Sequence, residues 1–359
     1  MTALFELIAK RIRRRGALSV AEYMEIALAH PEHGYYRNRD PLGRQGDFIT
    51  APEISQIFGE LIGLWCADAW QRMGAPDPVL LVELGPGRGT LMADALRAAT
   101  VRPAFRTALR VHLVETSPVL RAAQKRALGD TVSWHETFET LPHGPVLVIA
   151  NEFFDALPAH QFVRTSEGWR ERLVKLDASG DGLSFVLAER ATKAQRLVPT
   201  RLAEAPVGTQ WEVSPTALVI AAQLGRRIAD DGGAALVIDY GHVLGGTGET
   251  LQAVRGHERH EPLAEPGTAD LTTHVDFAGL ADAATGAGAA CHGPVTQRAF
   301  LRALGLELRA AALVNAATEE QAPLVDSGAR RLIEPGGMGT LFKALAIAHP
   351  ALSELAGFS

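Results

Sequence analysis

Residues 79–91, VLLVELGPGRGTL, constrain the fold of this chain more than any other stretch. A run of apolar and β-branched residues ends on an acid, Glu83, and gives way to a turn carrying Gly85, Gly87 and Gly89. Residues 91–97 then have the composition of a helix. Strand, glycine turn and helix in that order bring a nucleotide-like ligand to a helix N-terminus at the edge of a parallel sheet. Glycine is needed because a Cβ would obstruct both the tight turn and a ligand's approach to the backbone.

Two ligand classes fit such a turn. The dinucleotide fingerprint is G-x-G-x-x-G, whose amides hold a pyrophosphate. Here the third glycine comes one residue early, Thr90 takes the last glycine position, and Pro86 removes one amide. A ligand without phosphate tolerates these changes, and S-adenosylmethionine (SAM) has none. The turn therefore reads as a SAM site with Glu83, Gly85, Gly87 and Gly89 as contacts. A glycine turn kept only for packing is the bland alternative, and a nicotinamide dehydrogenase is the rival enzyme.

At 359 residues, 47% of them hydrophobic, the chain can build two domains or one enlarged α/β domain around a large core. Its net charge of −6 does not favour broad binding to nucleic acid or anionic membrane. Cys66 and Cys291 form no C-x-x-C, which points to a reducing compartment and no thiol-bound metal. No apolar run approaches the ~20 residues of a membrane span. Residues 4–15, LFELIAKRIRRR, are arginine-rich in the manner of a transit peptide. Yet Leu4, Leu7, Ile8 and Ile12 recur at helical spacing, and Ser19 with Glu22 makes a capping box for another helix. Two structural helices are expected.

Residues 43–55, GRQGDFITAPEIS, read as a loop entering a helix near Pro52, which continues over 54–73. Asp47, Thr50, Glu53 and Ser55 place polar groups where the loop can cover a cofactor, with Thr50 as a cofactor contact; a capped helix start is the simpler account of the composition. Residues 110–115 form a second strand ending in Glu115, whose carboxylate can accept both ribose hydroxyls or cap the helix after Ser117 and Pro118. Residues 131–135 are a third strand, with Trp134 or Glu136 either bordering adenine or serving as core and loop. Residues 145–158, PVLVIANEFFDALP, begin as a strand buried on both faces and break into Asn151, Glu152 and Asp155. Ligands of open α/β sheets lie beyond the carboxyl ends of the strands, so these groups are placed for chemistry. Acids in the first turn of a following helix are the alternative.

From His160 the texture changes. Residues 161–165, 169–175 and 183–187 read as an antiparallel insertion. A helix over 215–228, a buried strand over 233–241 ending in Asp239 and Tyr240, strands near 250–254 and 274–277, a helix through Ala284 and a last strand over 340–347 follow. His257 and His260 lack zinc-helix spacing, and Ser214 and Ser353 lack a nucleophile elbow. Neither a metal nor a hydrolase triad is expected.

Residues 46–60, 82–90, 151–158, 238–241 and 266–277 together resemble the MidA family of class I SAM-dependent methyltransferases, related to the mitochondrial assembly factor for respiratory complex I. The stretches GDFITAPE and NEFFDALP carry most of that resemblance. It implies an α/β fold: a Rossmann-like class I methyltransferase sheet with N-terminal helices and an antiparallel β-rich insertion. The expected division is 1–75 for the helical region with its covering loop, 76–160 for the SAM-binding core, 161–210 for the insertion and 211–359 for the rest of the core. It further implies protein-arginine N-methylation, giving symmetric dimethylarginine on a 49-kDa-type subunit of NADH-quinone oxidoreductase. The setting is the bacterial cytoplasm, or the mitochondrial matrix if the chain is eukaryotic; a homodimer stays open and no nucleic acid takes part.

Methyl transfer from a sulfonium is an in-line displacement that requires nucleophile, methyl carbon and leaving sulfur to be aligned. A guanidinium is always charged and a poor nucleophile. Carboxylates that hold its planar fork can orient it and concentrate charge on one nitrogen, leaving the other to attack. Glu152 and Asp155, with Asn151, are the candidates for that cradle; Asp47 and Glu53 are second choices. A methyltransferase for a small molecule or another protein nitrogen, and a non-catalytic SAM-binding assembly chaperone, are the competing readings.

Overall fold

Strand β1 (Val79–Leu84) is buried at every position, as its unbroken apolar run requires. In the computed structural model, which describes residues 2–37, 41, 43, 46, 47 and 49–358, this strand lies inside the main sheet, in which seven strands follow one continuous hydrogen-bonded order. The others are β2 (Leu109–Val114), β3 (Val132–His135), β4 (Val146–Asn151), β5 (Gly233–His242), β6 (Ala290–Thr296) and β7 (Phe342–Ala348). Their order is β3-β2-β1-β4-β5-β7-β6. Strands β1 to β5 run parallel, and β7 is antiparallel to both of its neighbours. The strand order reverses between β1 and β4, so the crevice that such a sheet offers a ligand opens at their carboxyl ends. In register, Leu84 pairs with Ala150, which sets the glycine turn level with Asn151.

Helices α1 (Gln56–Arg72), α2 (Thr90–Ala99) and α3 (Pro118–Leu128) belong to the same unit, built from Ile49–Phe154, Ile220–Val243 and Phe277–Ser359. Phe58, Trp65, Leu81, Phe105, Ile149 and Leu236 lie in its core. Helix α1 passes α2 so closely that a Cβ on Gly63 would stand 2.6 Å from the Cα of Ala95. The helix expected over 54–73 is divided. Ser55 is extended (φ −156°, ψ 131°), ending the short helix Ala51–Ile54, and its hydroxyl accepts from the Ile57 N–H at the start of α1.

Strand β6, of sequence ACHGPVT, has no clear alternation, is interrupted by Gly-Pro and is only half-buried at the sheet edge, which hid it from periodicity. Helices Gln297–Ala303, Leu306–Ala316 and Ala322–Ile333 lie between β6 and β7 and were likewise unread.

The second unit comprises Met1–Phe48, Asp155–Val219 and Leu244–Asp276. Helix Ala3–Arg15 buries Leu4, Phe5, Ile8, Ala9 and Ile12, the stripe its spacing predicts, and the Ser19–Glu22 capping box starts helix Val20–Ala29. The antiparallel insertion is present as His160–Thr165, Gly168–Leu176 and Leu183–Leu187, close to the expected ranges. Gln210–Val213 and the two-residue strand Leu18–Ser19 complete the sheet and were not expected. A second small sheet joins Gln252–Arg255, Glu258–His260 and Asp270–Thr272. Phe162, Trp169 and Trp211 form one core cluster here, and Tyr23, Met24, Tyr35 and Leu271 belong to another. In the loop read over 43–55, Arg44, Gln45 and Phe48 lie outside the described residues. Among the described residues no helix is long and apolar enough to cross a membrane.

Candidate active site

At the carboxyl end of β1 the chain needs the conformations only glycine adopts freely. Gly85, Gly87 and Gly89 have φ values of 61°, 53° and 83°. Gly89 is the left-handed N-cap of α2, and a Cβ there would stand 3.2 Å from Leu128 of α3. The turn is therefore a close meeting of backbone and helix as well as a reversal.

Glu83, one residue before the end of β1, is buried, and burial pushes its carboxyl up to about 8. Its Oε2 finds no hydrogen-bond partner among the described residues. A buried acceptor without a donor costs free energy, which a ligand bearing a cationic or N–H group would recover. That orphaned oxygen, beneath a turn with no phosphate grip, fits SAM, whose ammonium supplies such a group.

Glu115 follows β2. Its Oε1 accepts from the Ser117 N–H at 2.7 Å and its Oε2 from Gln124 Nε2 at 3.2 Å. Burial raises its carboxyl, and these donors act in the opposite direction. The cap of α3 is the Ser117 hydroxyl, which accepts from the Leu120 N–H, so Glu115 is not needed as the cap. Trp134 on β3 donates its indole N–H to Gln124 Oε1 at 2.9 Å.

At the end of β4, Asn151 is buried and its Oδ1 carries no hydrogen bond among the described residues. Its Nδ2 donates to Glu152 Oε1 at 3.2 Å, and the Ala51 N–H donates to the same oxygen at 3.1 Å. Glu152 has φ 49°, a left-handed conformation that costs a non-glycine residue about 1–2 kcal/mol. Asp239, fully buried near the end of β5, holds the loop in place: its Oδ2 accepts from the N–H groups of Phe153 and Phe154 at 3.2 and 3.1 Å. Thr50 is the N-cap residue of Ala51–Ile54, with no side-chain cap bond. Glu53 accepts a 2.6 Å hydrogen bond from the Thr90 hydroxyl, and Arg88 lies 3.8 Å from its other oxygen.

The first unit thus gathers Glu83, Gly85, Gly87, Gly89, Glu115, Thr50, Asn151 and Glu152. Asp155 falls in the second unit. There Asp155 is buried, and the burial of Asp270, with the nearby charge of Asp155 as the smaller cause, raises the carboxyl of Asp270 to about 7. Tyr36 donates to Asp270 Oδ1 at 2.7 Å. Asp47, a second-choice acid, accepts from the Tyr35 hydroxyl and the Gly256 N–H, one on each carboxylate oxygen. Asp47 and Glu53 are thus engaged in holding backbone and side chains.

Gln124 escaped the sequence reading. One signal was available: it lies four residues after Leu120 on the buried stripe of α3, where a lone amide is out of place.

Residues 61–295 match the model of a family of S-adenosyl-L-methionine-dependent methyltransferases. The chain belongs to that family. The MidA resemblance holds, as does SAM as its cofactor, and the sheet is that of a class I methyltransferase. Similar proteins include the protein arginine methyltransferase NDUFAF7, mitochondrial, of Danio rerio, 40% identical over 97% of this chain and 87% of its own length. The Homo sapiens protein of the same name is 39% identical over 97% of this chain and 83% of its own. A crystal structure from Burkholderia thailandensis bound to S-adenosyl-homocysteine covers 99% of this chain and 94% of its own, with TM-score 0.84 and 26% identity.

Proposed function

We propose that this methyltransferase modifies arginine side chains of a protein. The observation that carries the reading is the pair Asn151 and Glu152 at the switch point: an unpartnered buried amide oxygen beside a carboxylate held in a strained conformation. SAM, when bound, supplies an electrophilic methyl group. Glu83 would receive its cationic end, Glu115 its ribose hydroxyls, and the backbone from Gly85 to Gly89 would hold it, with Thr50 as a further contact. Asn151 Oδ1 accepts an N–H of the guanidinium. Glu152 holds the fork and draws positive charge toward one nitrogen, leaving the other the better nucleophile. Asp155 is the second acid that the sequence offers, three residues along the same segment.

The relatives' printed name, protein arginine methyltransferase, supports arginine as the target. The MidA resemblance supports a 49-kDa-type subunit of NADH-quinone oxidoreductase as client and symmetric dimethylarginine as product. A bacterial source would place the reaction in the cytoplasm. The mitochondrial relatives make the matrix the setting for a eukaryotic chain.

The test is incubation of the purified protein with SAM and that subunit, followed by mass spectrometry for dimethylarginine. Methylation that is lost in Glu152→Gln supports the reading. SAM binding with no methylated arginine, and client assembly intact in Glu152→Gln, would establish a non-catalytic chaperone instead.

A further inference from the structure

We infer that Gln124 is a positioning residue which locks the glycine turn and the Glu115 carboxylate into one unit for ribose recognition. The inference rests on the reading of Glu115 as the ribose contact. Gln124 is fully buried in α3, and all of its amide is used. Its Nε2 donates to the Gly87 carbonyl at 2.7 Å and to Glu115 Oε2 at 3.2 Å, while its Oε1 accepts from Trp134 Nε1 at 2.9 Å.

The orientation of this amide is dictated by its neighbours. An indole N–H can only donate, so the amide oxygen faces Trp134. A backbone carbonyl and a carboxylate accept, so both amide hydrogens face the turn and Glu115. A flipped amide would lose all three bonds. Gly89 packs beside it: a Cβ there would be in ordinary contact with Gln124 Cα at 3.5 Å and tight only against Leu128 Cδ1 at 3.2 Å.

The consequence concerns the carboxylate. The Ser117 N–H fixes one oxygen of Glu115 and Gln124 the other, so the carboxylate plane cannot rotate. Acceptor capacity remains on it for hydroxyl donors. Without Gln124, Glu115 keeps its backbone anchors at Thr116 and Ser117 but loses its side-chain donor, and the Gly87 carbonyl, on the neighbouring turn, loses a donor.

The experiment titrates wild type, Gln124→Met and Trp134→Phe by calorimetry with S-adenosylhomocysteine and its 2′-deoxyribose analogue. Wild type is expected to prefer the ribose form by at least about tenfold. Gln124→Met should reduce that preference to within about twofold, and Trp134→Phe, which removes the indole donor together with part of the ring, should reduce it partway. A merely structural role would weaken both ligands alike. Unchanged preference in both variants would overturn the inference. If Gln124→Met does not fold, Trp134→Phe decides alone. A wild type that binds both ligands equally well would overturn the Glu115 reading and this inference together, whereas preference kept in the variants defeats only the role of Gln124.

Discussion

The Thr90 hydroxyl donates a 2.6 Å hydrogen bond to Glu53 Oε1, joining the residue that replaces the dinucleotide glycine to the short helix before α1. The position that departs from the fingerprint thus has a structural use of its own. Thr90→Val keeps the shape and removes the donor, leaving Glu53 with less support. A hydrogen bond to a charged group contributes about 1.5–3 kcal/mol, and Glu53 is partly exposed, so a loss of about 1.5 kcal/mol is expected in urea unfolding. Thr90→Gly, which restores the fingerprint's last glycine, should still not bind NAD, because Pro86 continues to withhold an amide.

Glu83 makes stability depend on pH. Its carboxyl is raised by burial from 4.5 to about 8 in the folded protein. Between those values the native state holds a proton that the unfolded chain has released. Stability must therefore fall as pH rises through roughly 4.5 to 8, and the loss is complete above about 8. Glu83→Gln should flatten that part of the pH–stability curve. In the wild type at pH 7, binding of SAM should release a proton, read as a buffer-dependent heat in calorimetry that Glu83→Gln abolishes.

Gly63 offers a prediction whose sign discriminates. On helix propensity alone, Gly→Ala within α1 should stabilise by about 1 kcal/mol. The new Cβ would instead meet Ala95 Cα and O at 2.6 Å, both backbone atoms of α2 that cannot move cheaply. Gly63→Ala is therefore expected to destabilise by about 2–3 kcal/mol in chemical denaturation.

Much of this was legible in the sequence because the central strands carry only one kind of information. β1 and β4 are apolar up to Glu83 and Asn151, so these two stand out as the first polar groups. The same logic found the antiparallel insertion, whose strands are separated by Ser- and Gly-rich turns. It failed where tertiary context decides. β6 is a half-buried edge strand of mixed composition, and Ser55 breaks a helix that composition would continue. Gln124 shows in the sequence only as an amide on a buried stripe; its partners come from β3 and the glycine turn, which the fold brings to it. Asp239 reads as a strand-end acid, yet it serves as an acceptor for the Phe153 and Phe154 amides rather than as an exposed reagent.

Glu152 keeps φ 49° although glycine or asparagine would adopt it at lower cost, so the side chain and not the turn accounts for the residue found there. Its Oε1 receives the Ala51 N–H and the Asn151 amide, contacts that an amide oxygen could also accept. Glu152→Gln should therefore leave the fold and SAM affinity within about threefold, a change of under about 1 kcal/mol. It removes the negative charge that holds a guanidinium, so methyl transfer to arginine should fall by at least about a hundredfold, an effect of about 2.7 kcal/mol on the barrier. Single-turnover methylation with calorimetry on the same variant separates the two. A variant that binds SAM normally and methylates at the wild-type rate would remove Glu152 from the chemistry and leave its conformation to be explained by the loop alone.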